Sequence, residues 1–311
     1  MLAPHFSFSS PLQLMLPQGV QANPYIQAEM HPSLAQVQDV LGTALGRPDA
    51  PFPYTNTWGN CLALLLPWLV TAWCIRGTRR QRVIAAAALT LVIVPIVYSL
   101  NRGLWLALIF TGGYVSLRLA ARGKVALLGM ICVGTAIAAM IIVATPLQSV
   151  VGQRLVHGKS NAHRASLSIL ATRDALSSPI IGYGDTRHQQ GSVTSIAVGK
   201  TAKCKQCGQV SVGNNGQLWL LFICSGFAGA ALYLAFFAYG TWRFWRDTSP
   251  EGIAGVLVLL LTFVFMIAYD AVGAPLAITM LSYALLWRNE MARRQAAAPA
   301  MMGRPGGSNR R

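Results

Sequence analysis

GQLWLLFICSGFAGAALYLAFFAY, running from Gly216 to Tyr239, carries no charged side chain and exceeds the roughly 20 apolar residues that a helix needs to cross a hydrocarbon core of about 30 Å. A helix at the surface of a soluble protein keeps one polar face, whereas this one is apolar all round and needs apolar surroundings. Six more stretches read the same way: Gly59–Ile75, Val83–Leu100, Leu104–Ser116, Val125–Ala144, Ile253–Tyr269 and Gly273–Trp287, of which Leu104–Ser116 is the shortest. The chain is therefore expected to be all-α, a polytopic membrane helix bundle of about seven spans with one large extracytoplasmic loop containing short helices. Composition agrees: 54% of residues are hydrophobic and 11% charged, with a mean hydropathy of +0.47, far from the soluble average.

The net charge of +16 does not point to nucleic acid, because the basic residues form no single stripe and fall into the gaps between spans. Arg76–Arg82, Arg118–Lys124, Thr241–Gly252 and the tail from Arg288 are the basic gaps, and they alternate along the chain. Under the positive-inside rule these gaps are cytoplasmic, which sends the N-terminal segment, Asn101–Gly103, the 146–215 loop and Asp270–Val272 outward from a plasma membrane. Trp58 and Trp219 then fall at the outer interface, and Trp73, Trp242 and Trp245 at the inner one.

Five regions follow: an extracytoplasmic segment (1–57), a four-helix membrane part (58–145), the large loop (146–215), a three-helix membrane part (216–288) and a disordered cytoplasmic tail (289–311). The first holds eight of the sixteen prolines and no cationic stretch leading into a short apolar run, so it is not a signal peptide. Its outward placement, with nothing ahead of it to carry it across, leads to the expectation that it is a loop of a longer protein that has lost its upstream helices. In the large loop, Ala162–Ser178 reads as a helix ended by Pro179 and apolar enough to lie along the membrane surface. Pro179–Gly184 is turn-rich, and Gln189–Gly208 has the composition of a long excursion. Ser225-x-x-x-Gly229 and Gly226-x-x-x-Ala230 are small-residue pairs suited to helix packing.

The loop carries eight Lys/Arg against two Asp, a cationic surface suited to an anion. Lys200, Lys203 and Lys205 read as solvated surface. Arg102 lies in a turn too short to carry it away from the bundle, where a guanidinium fork suits a phosphate. Arg154, Arg164 and Arg187 are the other candidates. His157, His163 and His188 are of the residue type that serves as a base near neutral pH, and sequence ranks none above the others. Asp270 sits among apolar neighbours, where a carboxylate is costly unless paired or functional. Cys204 and Cys207 are the one cysteine pair in the loop, suited to a disulfide, to paired thiols or to half of a metal site. No Walker loop, dinucleotide fingerprint or Asp-x-Asp metal clamp is present, which argues against a soluble nucleotide-sugar transferase.

Four stretches carry a resemblance. Arg47-Pro-Asp-Ala-Pro-Phe-Pro-Tyr-Thr-Asn-Thr-Trp58-Gly, running into Leu62–Pro67, resembles the segment before a central span in the O-antigen ligase/polymerase superfamily, particularly its actinobacterial members. Asn101-Arg-Gly-Leu-Trp105 is similar to that family's Ser-Arg-Gly-x-Trp turn. Arg164, followed by Ser178-Pro-Ile-Ile-Gly-Tyr-Gly184, resembles the pattern of its large periplasmic loop, and Gly213-Asn-Asn-Gly-Gln-Leu-Trp219 its entry into the next helix. The likeness covers residues 47 to 287. It implies a membrane glycosyltransferase that passes a glycan from a polyprenyl-pyrophosphate carrier to a lipid or glycan acceptor on the outer face, without nucleotide sugar, metal or cofactor.

By that likeness Arg164 and Asn215 are the catalytic positions, and Arg102, Arg154 and Arg187 would hold the pyrophosphate. Many members carry a His where this chain has Asn215, and an amide cannot accept a proton near neutral pH. Candidate bases are then His163, His188 and Asp270. The alternatives are a non-catalytic relative that binds lipid-linked glycan, and a transporter, although the repeat halves typical of transporters are missing.

Overall fold

The computed structural model describes the chain apart from residues 1–8, 22–25, 27–29, 32–33, 40–43, 53, 145–147, 150–151, 153–158, 189–210, 214 and 303–311. Two single-turn helices, Leu12–Met15 and Gln18–Gln21, precede an antiparallel hairpin of β1 (Ala35–Asp39) and β2 (Ala44–Pro48), with Ala35 opposite Pro48. This hairpin was not foreseen in the sequence, where Pro and Gly mask a short alternation. It is tied to the helices that follow: the buried Arg47 donates Nε–H to the Ser99 carbonyl at 2.6 Å, and Gln36 Oε1 accepts from the Thr55 amide at 3.2 Å.

Among the described residues, four helices are long and apolar enough to cross a bilayer: Thr55–Ile75, Arg79–Tyr98, Arg102–Ala120 and Gln217–Phe244. The first comprises α1 (Thr55–Leu69) and a π-helical turn over Val70–Ile75. Pro67 lies inside α1, and the Thr71 hydroxyl donates to its carbonyl at 2.8 Å. The second is broken into α2 (Arg79–Leu91) and α3 (Ile93–Tyr98). Thr78 and Gln81 form a capping box at its start, and Pro95 lacks the N–H that would have bonded the Leu91 carbonyl.

The third, α4 (Arg102–Ala120), is longer than the Leu104–Ser116 expected. Its last turn is held because Arg118 packs against the rings of Tyr114 and Trp245, 5.7 and 5.2 Å from their centroids, and donates Nη2–H to the Asp247 carbonyl at 2.7 Å. The wholly apolar α5 (Val125–Val143) packs on α4.

The centre of the bundle is α8 (Pro250–Phe265), preceded by α6 (Lys159–Ala175) and α7 (Gln217–Phe244) and followed by α9 (Ala274–Met302). At 16 residues α8 is shorter than a span, yet Val256, Leu257, Val258, Leu259 and Leu261 are all essentially inaccessible. Contacts with α1, α4, α7 and α9 surround it. Ser249 caps its start through the Gly252 amide at 3.0 Å, with Pro250 at the first position, where no N–H is missed. Two glycines let the helices close in: a Cβ at Gly240 would strike the Tyr283 ring, and one at Gly255 the Leu286 side chain. α9 runs on to Met302, into the 289–311 tail where disorder was expected.

Arginines collect at one end of this bundle. Arg76 pairs with Glu251 at 3.0 and 3.1 Å, Arg243 with Glu290 at 3.1 Å and Arg293 with Asp247 at 2.8 Å, while Arg122 donates to the Thr248 carbonyl. Asn289 adds a bond to Asp247 Oδ2 at 2.9 Å. These contacts bring the basic gaps Arg76–Arg82, Arg118–Lys124 and Thr241–Gly252 and the residues after Arg288 to a common level.

Gly226 breaks α7, with φ 63° and ψ −172° inside the helix. A break frees backbone groups that no water can satisfy in an apolar layer, and here the Pro179–Gly184 turn takes them up. The amides of Tyr183 and Gly184 donate to the carbonyls of Ile223 and Cys224 at 2.7 and 2.9 Å, and the amides of Phe227 and Ala228 donate to Pro179 and Ile180 at 2.6 and 3.4 Å. Gly182 (φ 68°) and Gly226 abut, and a Cβ on either would strike the other segment's backbone. Gly226 thus receives a loop, where the sequence suggested packing against another helix.

The small cluster Ala171, Val212 and Ile223, flanked by Leu170, Tyr183 and Trp219, holds α6 alongside α7. The sequence shows this helix to be apolar enough to lie along the membrane surface, and part of that apolar side is spent on α7. Gly226→Ala should lower stability by about 1–3 kcal/mol through this overpacking, while Gly112→Ala, whose Cβ would meet nothing within 4 Å, should be neutral or mildly stabilising. Thermal unfolding of both variants in one detergent checks the pair.

Candidate functional site

At the end of the bundle away from the arginine contacts, α7 begins against the loop that joins α8 to α9. The Gln217 amide donates to the Tyr269 carbonyl at 2.9 Å and the Leu218 amide to Met266 at 3.0 Å, while Gln217 Oε1 accepts from the Ala271 amide at 2.9 Å. Helix N-termini leave amides without partners in the helix, and this loop supplies acceptors for two of them. Gly216 permits the approach, since a Cβ there would lie 2.7 Å from the Ile267 carbonyl oxygen.

Arg164, on α6, reaches into this junction. Its Nη1–H donates to the carbonyl of Asn215 at 3.4 Å and to that of Ala268, and its guanidinium stands 5.5 Å from the centre of the Tyr269 ring. Nε and Nη2 make no hydrogen bond among the described residues, which leaves half of the donor fork for something else. Nη1 and the ring thus aim the group, and the remaining donors are free to meet an anion.

Tyr269 ties the site to α4. Its hydroxyl donates to Asn101 Oδ1, the same oxygen that caps α4 by accepting from the Leu104 amide at 3.0 Å. Gly103 explains itself here: a Cβ would collide with the Tyr269 ring. Arg102, the first residue of α4, is half-buried and flanked by these two Tyr269 neighbours.

Asn215 is 7% exposed, and its Nδ2–H donates to Ser168 Oγ at 2.8 Å, which in turn donates to the Arg164 carbonyl at 3.0 Å. Its Oδ1 is buried and without a hydrogen-bond partner among the described residues. An unpaired buried carbonyl costs about 1–3 kcal/mol, and a hydroxyl donor would relieve it. Beside Ser168 opens a groove of about 370 Å³ lined by Ser168, Ile169, Thr172, Arg173, Leu176 and Trp219. The Trp219 indole is held by its bond to the Ile267 carbonyl at 2.8 Å.

Of the residues singled out in the sequence, Arg164 and Asn215 meet directly. Arg102 follows Asn101, which Tyr269 ties to the junction that Arg164 enters. Asp270 follows Tyr269, is exposed and makes no ion pair among the described residues. The backbone places Arg187 and His188 in β3 (Arg187–His188), paired with β4 (Ser211–Val212) just ahead of Asn215, and His163 one residue before Arg164 in α6; nothing is described of these three side chains. Arg154, His157, Cys204 and Cys207 lie outside the described residues. No role for Tyr269, Ser168 or Asn101 was legible in the sequence, although Gly103 was a sign that something approaches the turn closely.

Comparison with protein families, with characterised proteins and with solved structures finds no match for this chain.

Proposed function

We propose that the chain is a metal-independent membrane glycosyltransferase, similar to O-antigen ligases and polymerases, that transfers a glycan from a polyprenyl-pyrophosphate carrier to a lipid or glycan acceptor. The observation that carries this reading is Arg164, fixed by the Asn215 and Ala268 carbonyls and the Tyr269 ring with the rest of its fork unspent. Three of the stretches that bear the resemblance, around Arg102, Arg164 and Asn215, contribute to this one end of the bundle. The arrangement of seven spans in a plasma membrane, with the 146–215 loop outward, belongs to the same reading. It is supported by the gathering of arginines at the opposite end, as the positive-inside rule asks.

In this mechanism the acceptor oxygen attacks the anomeric carbon, the C–O bond to the diphosphate breaks, and the bonding pair leaves on the diphosphate. Charge grows on that leaving group, so donors placed in advance lower the barrier. Arg164 and Arg102 take this role, with Arg154 and Arg187 as further donors from the loop. Asn215 Oδ1 accepts from the acceptor hydroxyl and orients it, since an amide cannot take up the proton itself. The proton passes to a separate base, His163, His188 or Asp270.

Asn215 also favours a second reading, a non-catalytic relative that binds the lipid-linked glycan and does not transfer it. In proteoliposomes supplied with a polyprenyl-diphosphate-linked oligosaccharide and an acceptor, transfer by the wild type should fall about 10²–10³-fold in Arg164→Ala, with unchanged membrane insertion. Full activity of that variant would remove Arg164 from the mechanism. Tyr269→Phe, which keeps the ring under Arg164 but loses the bond to Asn101, should cost about 1 kcal/mol of stability and reduce transfer less than loss of the guanidinium. An inactive wild type that gains transfer on Asn215→His would decide for the non-catalytic reading.

A further inference from the structure

We propose that the turn linking α6 to β3, residues 176–184, enters the hydrocarbon layer beside α7 as a wedge whose occupant face is bilayer acyl chain. The inference rests on reading α7 as a membrane span and does not depend on the transfer reaction.

Depth is the first argument. Trp219 stands at the start of α7 against the loop residue Ile267, while Trp242 and Trp245 close its far end. At 1.5 Å per residue, Gly226 lies about 10 Å beyond Trp219 toward the far end. The turn is bonded to Ile223, Cys224, Phe227 and Ala228 around that break, so it shares their depth.

Satisfaction of the backbone is the second. A broken span would leave carbonyls and amides bare in lipid, and irregular backbone is tolerated there only where protein covers it. The turn supplies four such bonds across Gly226 and closes its own, Gly182 N–H to the Ser178 carbonyl at 3.1 Å and the Ser178 hydroxyl to the Gly182 carbonyl at 2.8 Å. The Tyr183 hydroxyl donates to the Asp174 carbonyl at 3.2 Å, which draws the turn back onto α6.

The third is what the wedge presents outward. Leu176, Ile180 and Ile181 are 64, 70 and 77% exposed, with no charged residue between Leu176 and Gly184. Arg173 precedes the wedge and Asp185 follows it. Ile169 higher on α6 and Leu232 lower on α7 are exposed as well, so the apolar surface continues from the span onto the turn. Such a continuous apolar face is costly in water and favourable against acyl chains, at about 25 cal/mol per Å². One consequence is that the groove between Ser168 and Trp219 opens toward lipid, and a lipid-borne molecule would reach Asn215 from the side.

The test places an environment-sensitive fluorophore on Ile181→Cys and, separately, on Asp185→Cys, in a full-length chain freed of its native cysteines and held in phospholipid nanodiscs. The wedge predicts blue-shifted emission at 181, several-fold weaker quenching by aqueous iodide than at 185, and quenching by a nitroxide on the lipid acyl chain. Water-like emission and equal iodide quenching at both positions would overturn it. Should the cysteine-free chain misfold, a benzophenone amino acid at position 181 of the otherwise native chain gives the same decision. Crosslinking to phospholipid supports the wedge, and crosslinking to protein alone, or none, contradicts it.

Discussion

Tyr269 is the contact on which this end of the molecule depends. Its hydroxyl bonds the cap of α4, its ring faces the Arg164 guanidinium, and its carbonyl receives the first amide of α7. Residues far apart in sequence, near 101, 164 and 217, therefore meet at one residue, the first two at its side chain and the third at its carbonyl. A guanidinium is strongly directional, and here two carbonyls and an aromatic face fix it with donors to spare. The arrangement resembles a prepared anion seat more than a structural ion pair, since no carboxylate among the described residues contacts Arg164.

The two ends of the bundle divide their work by charge. At one, Arg76, Arg118, Arg122, Arg243, Arg293 and Arg294 are consumed by Glu251, Asp247, Glu290 and the carbonyls of the 243–251 turn. At the other, polar contacts run mainly through amides, carbonyls and a phenol, and Arg164 keeps part of its capacity. Between them α8 is buried and closely packed, and the break at Gly226 is sealed by the Pro179–Gly184 turn.

Much of the helical architecture was legible because a span announces itself by apolar length alone. The ends were less so: α4 outlasts its apolar run because Arg118 finds two rings and a carbonyl, which no window of sequence contains. The N-terminal hairpin was missed for the same reason, as its anchors are the Ser99 carbonyl and the Thr55 amide. Gly226 looked like a helix-packing residue, since small residues at one-turn spacing do not reveal whether a helix or a loop will fill the space. Arg164 and Asn215 could be named from their motifs, but Ser168, Asn101 and Tyr269 are ordinary polar residues whose part arises from three-dimensional proximity.

A structure determined with a polyprenyl diphosphate bound is the most direct test of the central claim, that Arg164 is held ready for a departing diphosphate. The account predicts phosphate oxygens at about 3 Å from Arg164 Nε or Nη2, with Arg102 on the same group and the lipid chain leaving past Trp219. A diphosphate found elsewhere, for instance among the arginines at the opposite end, with the Arg164 fork still turned only to the Asn215 and Ala268 carbonyls, would contradict it.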